Sequence, residues 1–257
     1  MKDNLLLAIS FAKRDFKERY VGTGLGQFWY ILSPLIMIFI YTVIFSDFMK
    51  MKLSILDNSY SYSIYLVPGL LAWTSFSTII MRLNTSFFEK SNLLKKINVP
   101  MYVFQLSIIL TESFIFFLSI LLALGFLIIV GQPITLSFLW MIPIMTLQVI
   151  FSFALGVIIS LFTPFFKDLK EAVPIVIQLW FWMTPIIYLS SMIESKYPFI
   201  LQYNPFYFFV NIYQNIFLYS KIPSFESVLL LIVMSFSTLL IAAYLYKKMI
   251  NTIKDII

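Results

Sequence analysis

The side chains that most often carry out chemistry in proteins are scarce in this chain. It has no histidine and no cysteine, which removes the commonest general base, the commonest metal ligand and any disulfide. No GxxxxGK[ST] phosphate loop occurs, so we expect no nucleotide site. The carboxylates expected on the outer side of a membrane are scattered: Asp47, Asp57, Glu194 and Glu226. The sequence therefore predicts a protein that is not an enzyme and that itself binds no cofactor or metal.

One acidic residue lies deep inside an apolar segment. A charge such as that of Glu112 costs roughly 2.5–3.5 kcal/mol at the middle of a membrane helix. We therefore expect this carboxyl to be neutral, paired with a basic group, or facing water. Proton relay is a further alternative, but no second intramembrane charge or histidine is available to receive the proton.

Aromatic side chains form the other chemically useful group, at 19% of the chain. Flat apolar rings stack on sugar rings through contacts that are individually weak, and a conducted substrate must bind weakly enough to move on. Aromatic rings facing lipid or the membrane interface are the simpler interpretation for most of these residues. The candidates for a channel lining are Trp29, Tyr41, Gln178, Trp182 and Tyr188.

Membrane helices must position these residues. The chain has 257 residues, of which 61% are hydrophobic and 12% charged, against about 25% charged in soluble domains. A spanning helix needs roughly 20 mostly apolar residues. Six segments meet that requirement: Phe28–Phe45, Ser63–Met81, Tyr102–Val130, Phe138–Phe162, Ala172–Leu189 and Ser227–Tyr246. The expected fold class is an all-α membrane protein with six transmembrane helices.

Basic residues predict the orientation. With the N-terminus inside, 4 of the 18 Lys and Arg residues lie outside, and the remaining 14 lie inside. The outside residues are Lys50, Lys52, Lys196 and Lys221. Lys and Arg accumulate in cytoplasmic loops, so both termini are expected in the cytoplasm. The same distribution explains the net charge of +6 without nucleic acid as a partner.

The aromatic stretch Met192–Lys221 interrupts this pattern. A full crossing there would make seven spans and place Lys247 and Lys248 outside. The stretch also contains Pro198 and Pro205. We predict a re-entrant or interfacial helical hairpin on the outer side, between spans five and six, since irregular backbone is tolerated at membrane depth when it packs against protein.

Two basic segments face the cytoplasm in this topology. Leu5–Tyr20 gathers its apolar residues on one helical face, which predicts an amphipathic helix on the inner membrane surface. It serves either as a plain anchor or as a lever against a cytoplasmic partner. The loop Arg82–Pro100 mixes charged and apolar residues, which suits either a helix docked on a soluble partner or a loop held by acidic lipid headgroups.

Several motifs together resemble one family. They are Arg14–Tyr20, Gly22–Trp29, Pro34, Tyr41–Phe45, Phe166-Lys167-Asp168, Trp182–Tyr188 and Tyr203-Asn204-Pro205. In this order they resemble the type-2 ABC exporter permeases, nearest to the branch that exports O-antigen, capsule and teichoic acid polysaccharides. Lys167 departs from the family pattern, which more often has arginine there, and lysine does not replace the bidentate geometry of arginine.

The resemblance implies a homodimer paired with two copies of a separate ATPase subunit, which holds ATP and Mg, in a bacterial cell (inner) membrane. A lipid-linked polysaccharide would leave through a channel lined largely by the first and fifth spans. The N-terminal amphipathic helix would be the interface helix. The residues expected to contact the ATPase subunit are Arg14, Arg19, Arg82, Phe87, Glu89, Lys90 and Lys95.

The whole chain, 1–257, is interpreted as a single transmembrane domain. Its parts are the interface helix and turn (1–27), spans one to five (28–190), the outer hairpin (191–222), and span six with a cytoplasmic tail (223–257). An ion-coupled secondary transporter of a small molecule remains an alternative, although only Glu112 points that way. A membrane-bound glycosyltransferase is another, but it would need convergent catalytic groups.

Overall fold

A computed structural model describes residues 2–49, 53, 58–89, 99–194 and 196–256. This part of the chain contains α-helices and no strand. The helices are α1 (Lys2–Glu18), α2 (Trp29–Thr42), α3 (Ser61–Glu89), α4 (Tyr102–Ile129), α5 (Met141–Phe162), α6 (Leu169–Met183), α7 (Ser190–Glu194), α8 (Pro198–Tyr203), α9 (Pro205–Tyr219) and α10 (Phe225–Ile256). Short 3-10 turns precede α2 and α5, and a π-helix, Val43–Phe48, continues α2. The all-α class is confirmed.

Five helical stretches of the described chain are long and apolar enough to cross a membrane. They are Gly26–Ser46, Ser61–Glu89, Tyr102–Ile129, Leu136–Phe162 and Phe225–Lys254. These stretches coincide with the first four and the last of the predicted spans. The chain is therefore a multi-pass membrane protein.

Helix α6 covers only part of the predicted span Ala172–Leu189. It ends at Met183, and Thr184 is extended, with φ −103° and ψ 126°. Pro185 explains this end, because the residue before a proline avoids helical backbone. The 15 residues of α6 rise about 22 Å, less than the roughly 30 Å of a bilayer core.

Helix α3 is the central element of the bundle. Its apolar window is 83% buried, against 11% for the first long stretch and 17% for the last. It packs against α4, α5, α6 and α9. A Cβ at Gly156 of α5 would lie 2.6 Å from Leu83 Cδ1, so glycine allows α5 to approach α3 closely.

Three short helices, α7 to α9, occupy the stretch predicted to form a hairpin. Helix α9 packs against α3, and Phe206, Phe209 and Tyr213 are fully buried there. Pro205 is the first residue of α9, where its missing N–H leaves no helical hydrogen bond unmade.

Helix α3 also extends further than the sequence predicted. Arg82, Phe87 and Glu89 lie on its last turns and not in a loop, because polar contacts to other helices hold this end in place. Residues 90–98 of the predicted loop lie outside the described residues.

The amphipathic N-terminal helix is present as α1 and packs along α4, with the rings of Phe11 and Phe104 stacked 4.9 Å apart. Gly22 (φ 85°) and Gly26 (φ 53°) form the turn from α1 towards α2, in backbone conformations that favour glycine.

Candidate functional site

Four charged side chains form a cluster where α1, α3 and α4 meet. Arg82 Nη1 lies 2.6 Å from Glu112 Oε1, and Arg82 Nη2 lies 2.7 Å from Asp15 Oδ1. The Arg19 guanidinium donates to the same Glu112 oxygen. We call Asp15, Arg19, Arg82 and Glu112 the ion cluster. Its two positive and two negative charges balance, which makes the buried carboxylate of Glu112 tolerable.

The pairing of Glu112 decides between the alternatives for that residue. Its side chain is only 4% exposed, and both of its partners are arginines. Of the alternatives for Glu112, the structure therefore shows the paired one.

Helix α1 is also held by neutral hydrogen bonds. Thr111 Oγ1 of α4 donates to the Ala12 carbonyl at 3.3 Å. Tyr30 of α2 donates to the Phe16 carbonyl at 2.9 Å, and their two rings stack 4.1 Å apart. Helix α1 is therefore fastened to two long helices and to the end of a third.

The structure separates the residues predicted to contact the ATPase subunit. Arg19 and Arg82 belong to the ion cluster, and Phe87 is 2% exposed, so it packs inside the bundle with no surface for a partner. Arg14 and Glu89 are exposed. Lys90 and Lys95 lie outside the described residues.

The Phe166-Lys167-Asp168 turn is tied to the end of α3 by a residue that the sequence analysis missed. Buried Asn84 donates to the Leu169 carbonyl at 3.1 Å and accepts from Thr163 Oγ1 at 2.6 Å. Lys170 Nζ lies 3.6 Å from the centroid of the Phe88 ring. An amide within a largely apolar helix is the signal that points to Asn84.

After α6, the Thr184–Leu189 segment is not helical, and side chains from α3 and α9 satisfy its backbone. Tyr62 donates to the Ile187 carbonyl, and Tyr65 donates to the Tyr188 carbonyl at 2.9 Å. Gln214 Nε2 donates to the Pro185 carbonyl at 3.2 Å. Backbone carbonyls at membrane depth require such internal partners, so these three residues allow the segment to leave the helix.

The candidate channel residues of α6 and the following segment lie together. Gln178 and Trp182 are exposed one turn apart on α6, and Tyr188 donates to the Trp182 carbonyl at 2.6 Å. The opposite face of α6 buries Val173 and Ile177 and packs against α3. Gln178 and Trp182 therefore lie on the exposed face of α6, with half-buried Tyr188 beside Trp182.

Of the two candidates on α2, Tyr41 is linked to this region through Phe45 and Tyr62. Its ring stacks on Phe45 at 6.0 Å, and Phe45 contacts Tyr62 at 5.0 Å, beside the Thr184–Leu189 segment. Trp29 lies at the other end of α2, where it lines a cavity of about 160 Å³ with Arg19 and Glu112.

Comparison with known proteins identifies the family. The family described as ABC-2 type transporter matches residues 7–218. Two Klebsiella pneumoniae proteins named O-antigen export system permease protein RfbA are each 30% identical, one over 95% of this chain and 92% of its own length, the other over 77% and 75%. A Myxococcus xanthus protein of the same name is 29% identical over 94% of this chain and 92% of its length. The chain belongs to the ABC-2 type transporter family, as a multi-pass transmembrane permease.

Proposed function

We propose that two copies of this chain form the export channel of an ATP-driven transporter that moves a lipid-linked polysaccharide out of the cytoplasm. The names of the similar permeases support O-antigen as the polysaccharide class, with capsule or teichoic acid polymers as chemically close alternatives. One structural observation carries the proposal. Gln178 and Trp182 are exposed one turn apart on α6, half-buried Tyr188 donates to the Trp182 carbonyl, and no charged residue occurs from Ala172 to Leu189.

The chemistry of that face suits a long glycan. Each sugar ring that enters the membrane loses water and needs weak, repeated replacement contacts, because tight binding would stop conduction. The rings of Trp182 and Tyr188 offer such contacts, and the Gln178 amide offers hydrogen bonds to hydroxyl groups. Fixed charges would suit only charged polymers.

A separate ATPase subunit, present in two copies, supplies the energy in this proposal and holds ATP and Mg. The exposed residues Arg14 and Glu89, with Lys90 and Lys95, form its contact surface on the permease. Movement of that surface reaches the long helices through α1 and the ion cluster. The purified permease alone therefore hydrolyses no ATP.

The proposed topology has six spans in a bacterial inner membrane, with both termini in the cytoplasm. Helix α6 and the Thr184–Leu189 segment together make the fifth crossing. Helices α7 to α9 form the re-entrant hairpin on the outer side. Reporter fusions after Asn58 and after Asp255 test this topology, with outside and inside signals expected respectively. An outside signal from the second fusion would add a seventh crossing.

Removing the aromatic side chains tests the channel. We expect Trp182→Ala combined with Tyr188→Ala to cut surface polysaccharide severalfold per assembled complex, because the sliding contacts are lost. The matched control is Phe236→Ala, which removes an exposed aromatic ring from α10. Surface glycan is measured by immunoblot alongside the amount of permease that co-purifies with the ATPase subunit. Normal export by the double variant would refute the channel assignment.

Cysteine crosslinking tests the contact surface, since the native chain has no cysteine. We expect Arg14→Cys and Glu89→Cys to crosslink to the ATPase subunit in membranes. Glu226→Cys, on the first turn of α10, is the control and should give no crosslink. If both test positions fail while Phe166→Cys succeeds, the contact lies elsewhere.

A further inference from the structure

Asn204 is the most fully hydrogen-bonded side chain at the end of α6. It lies between α8 and α9 and is 6% exposed. Its Oδ1 accepts from Trp180 Nε1 at 2.8 Å. Its Nδ2 donates to Thr184 Oγ1 at 2.8 Å and to the Met183 carbonyl at 3.3 Å. One amide thus joins the last turn of α6 to the residue that follows it.

The same side chain begins α9. Asn204 Oδ1 accepts from the backbone N–H groups of Phe206 at 3.1 Å and Tyr207 at 3.3 Å, which is the geometry of a helix N-cap. Helix α9 is itself fixed in the bundle by fully buried Phe206 and Phe209. Asn204 therefore connects a firmly packed helix to the end of a helix that is packed on one face only.

A second contact reinforces this connection. Gln214 of α9 donates to the Pro185 carbonyl. A Cβ at Gly69 of α3 would lie 3.3 Å from each of Gln214, Ile186 and Val210. Helix α3, helix α9 and the segment after α6 therefore pack closely at this point. Contacts with α9 therefore fix the position of the segment after α6.

We propose that Asn204 is a positioning residue of the export channel, which makes α9 and the Met183–Tyr188 end of α6 a single structural unit. This inference rests on the proposed function, because it takes Trp182 and Tyr188 as channel lining. Without the Asn204 bonds to Trp180 and Thr184, the aromatic face loses its fixed position relative to α9 and export falls.

Two substitutions separate this role from helix capping. Asn204→Ser keeps an N-cap residue for α9, but its side chain is too short to reach Trp180 and Thr184. Trp180→Phe leaves the cap intact and removes only the indole N–H donor, while a ring remains against Trp73 and Phe76. Asn211→Ser is the matched control, since Asn211 bonds to Asn215 on its own helix.

The experiment uses the permease co-expressed with its ATPase subunit and has two readouts. One is surface polysaccharide per assembled complex. The other is crosslinking by a short bismaleimide between Leu179→Cys and Tyr203→Cys, which line the same cavity between α6 and α8. We expect Trp180→Phe to reduce both readouts by about fivefold, the factor that one buried hydrogen bond typically contributes, and Asn204→Ser, which loses more than one bond, to reduce them further. Asn211→Ser should change neither.

The two readouts separate failure of the positioning role from failure of the proposed function. The positioning role is refuted if either readout stays at the wild-type value in both variants. If Asn204→Ser fails to assemble, Trp180→Phe decides alone. Normal export by these variants, with export lost in the Trp182 and Tyr188 double variant, would refute this inference and leave the proposed function standing. Normal export by that double variant would refute the channel, while crosslinking would still report on Asn204.

Discussion

The two ends of α3 are held by different chemistry. At one end, Arg82 joins the ion cluster, in which α1, α3 and α4 meet through charged groups. At the other end, Tyr62 and Tyr65 belong to what we call the neutral network, with Asn204 and Gln214 as its other members. The neutral network holds the segment after α6 without any charge.

Access to water accounts for the difference. The arginine side chains of the ion cluster are about a quarter exposed, at 24% and 25%, so they keep part of their hydration. The neutral network is drier, and there the desolvation of a charge would exceed what pairing returns. Amides and phenols satisfy backbone groups at a smaller desolvation cost. The comparison teaches that the deeply buried charge of the ion cluster, on Glu112, is held by arginines that stay partly exposed.

Breaking the ion cluster should have the largest effect. We expect Glu112→Gln to lower the free energy of unfolding by about 3–5 kcal/mol, because two partly buried guanidinium groups lose their shared carboxylate. The thermal unfolding midpoint of the detergent-solubilised permease measures the effect. Glu226→Gln on the first turn of α10 is the control, and equal midpoints for the two variants would show that the cluster carries little stability.

Breaking the neutral network should cost less. We expect Tyr62→Phe with Tyr65→Phe to lower the free energy of unfolding by about 2 kcal/mol, roughly 1 kcal/mol for each donor removed. The rings stay, so packing is preserved while the bonds to the Ile187, Tyr188 and Pro185 carbonyls are lost. The same thermal assay applies, with Tyr244→Phe on the exposed face of α10 as control. A loss larger than that of Glu112→Gln would reverse the comparison.

An exposed ion pair sharpens the comparison by separating charge from burial. On α1, Arg14 Nε lies 3.4 Å from Glu18 Oε1, and the two side chains are 51% and 62% exposed. We expect Glu18→Gln to lower the free energy of unfolding by less than about 0.5 kcal/mol, because solvent screens such pairs. The midpoint should match wild type within error. A shift close to that of Glu112→Gln would mean that burial is not what strengthens the ion cluster.

Hydropathy predicted the long helices well because a run of apolar residues is a local property. The predicted spans on α2, α3, α4, α5 and α10 all correspond to helices with the length and apolarity to cross a membrane. The α6 span was only partly right, since the apolar run continues to Leu189 while the helix stops before Pro185. Hydropathy takes no account of the backbone geometry that a proline imposes on the residue before it.

The site was less predictable than the fold. The side chains Gln178, Trp182 and Tyr188 were identified from type and helical spacing, but α6 ends at Met183, so only Gln178 and Trp182 share a helical face, and Tyr188 meets them through its bond to the Trp182 carbonyl. Trp29 was grouped with them because it lies on the same helix as Tyr41, but the helix separates these two by its length. Arg82 was assigned to a loop because its charge suggested an end to the apolar run.

The sequence by itself determined that this is a membrane protein, that it is helical and which family it belongs to, because these depend on composition, periodicity and local motifs. Only the tertiary structure decided the partners of the polar groups. Arg19 and Glu112 are 93 positions apart, and Asn204 meets Trp180 across 24 positions. Buried polar groups at membrane depth must find partners, but which distant residue serves depends on how the helices pack. Because of that packing, Glu112 belongs to the ion cluster, and Asn204, which precedes a proline, lies at the junction of α6 and α9.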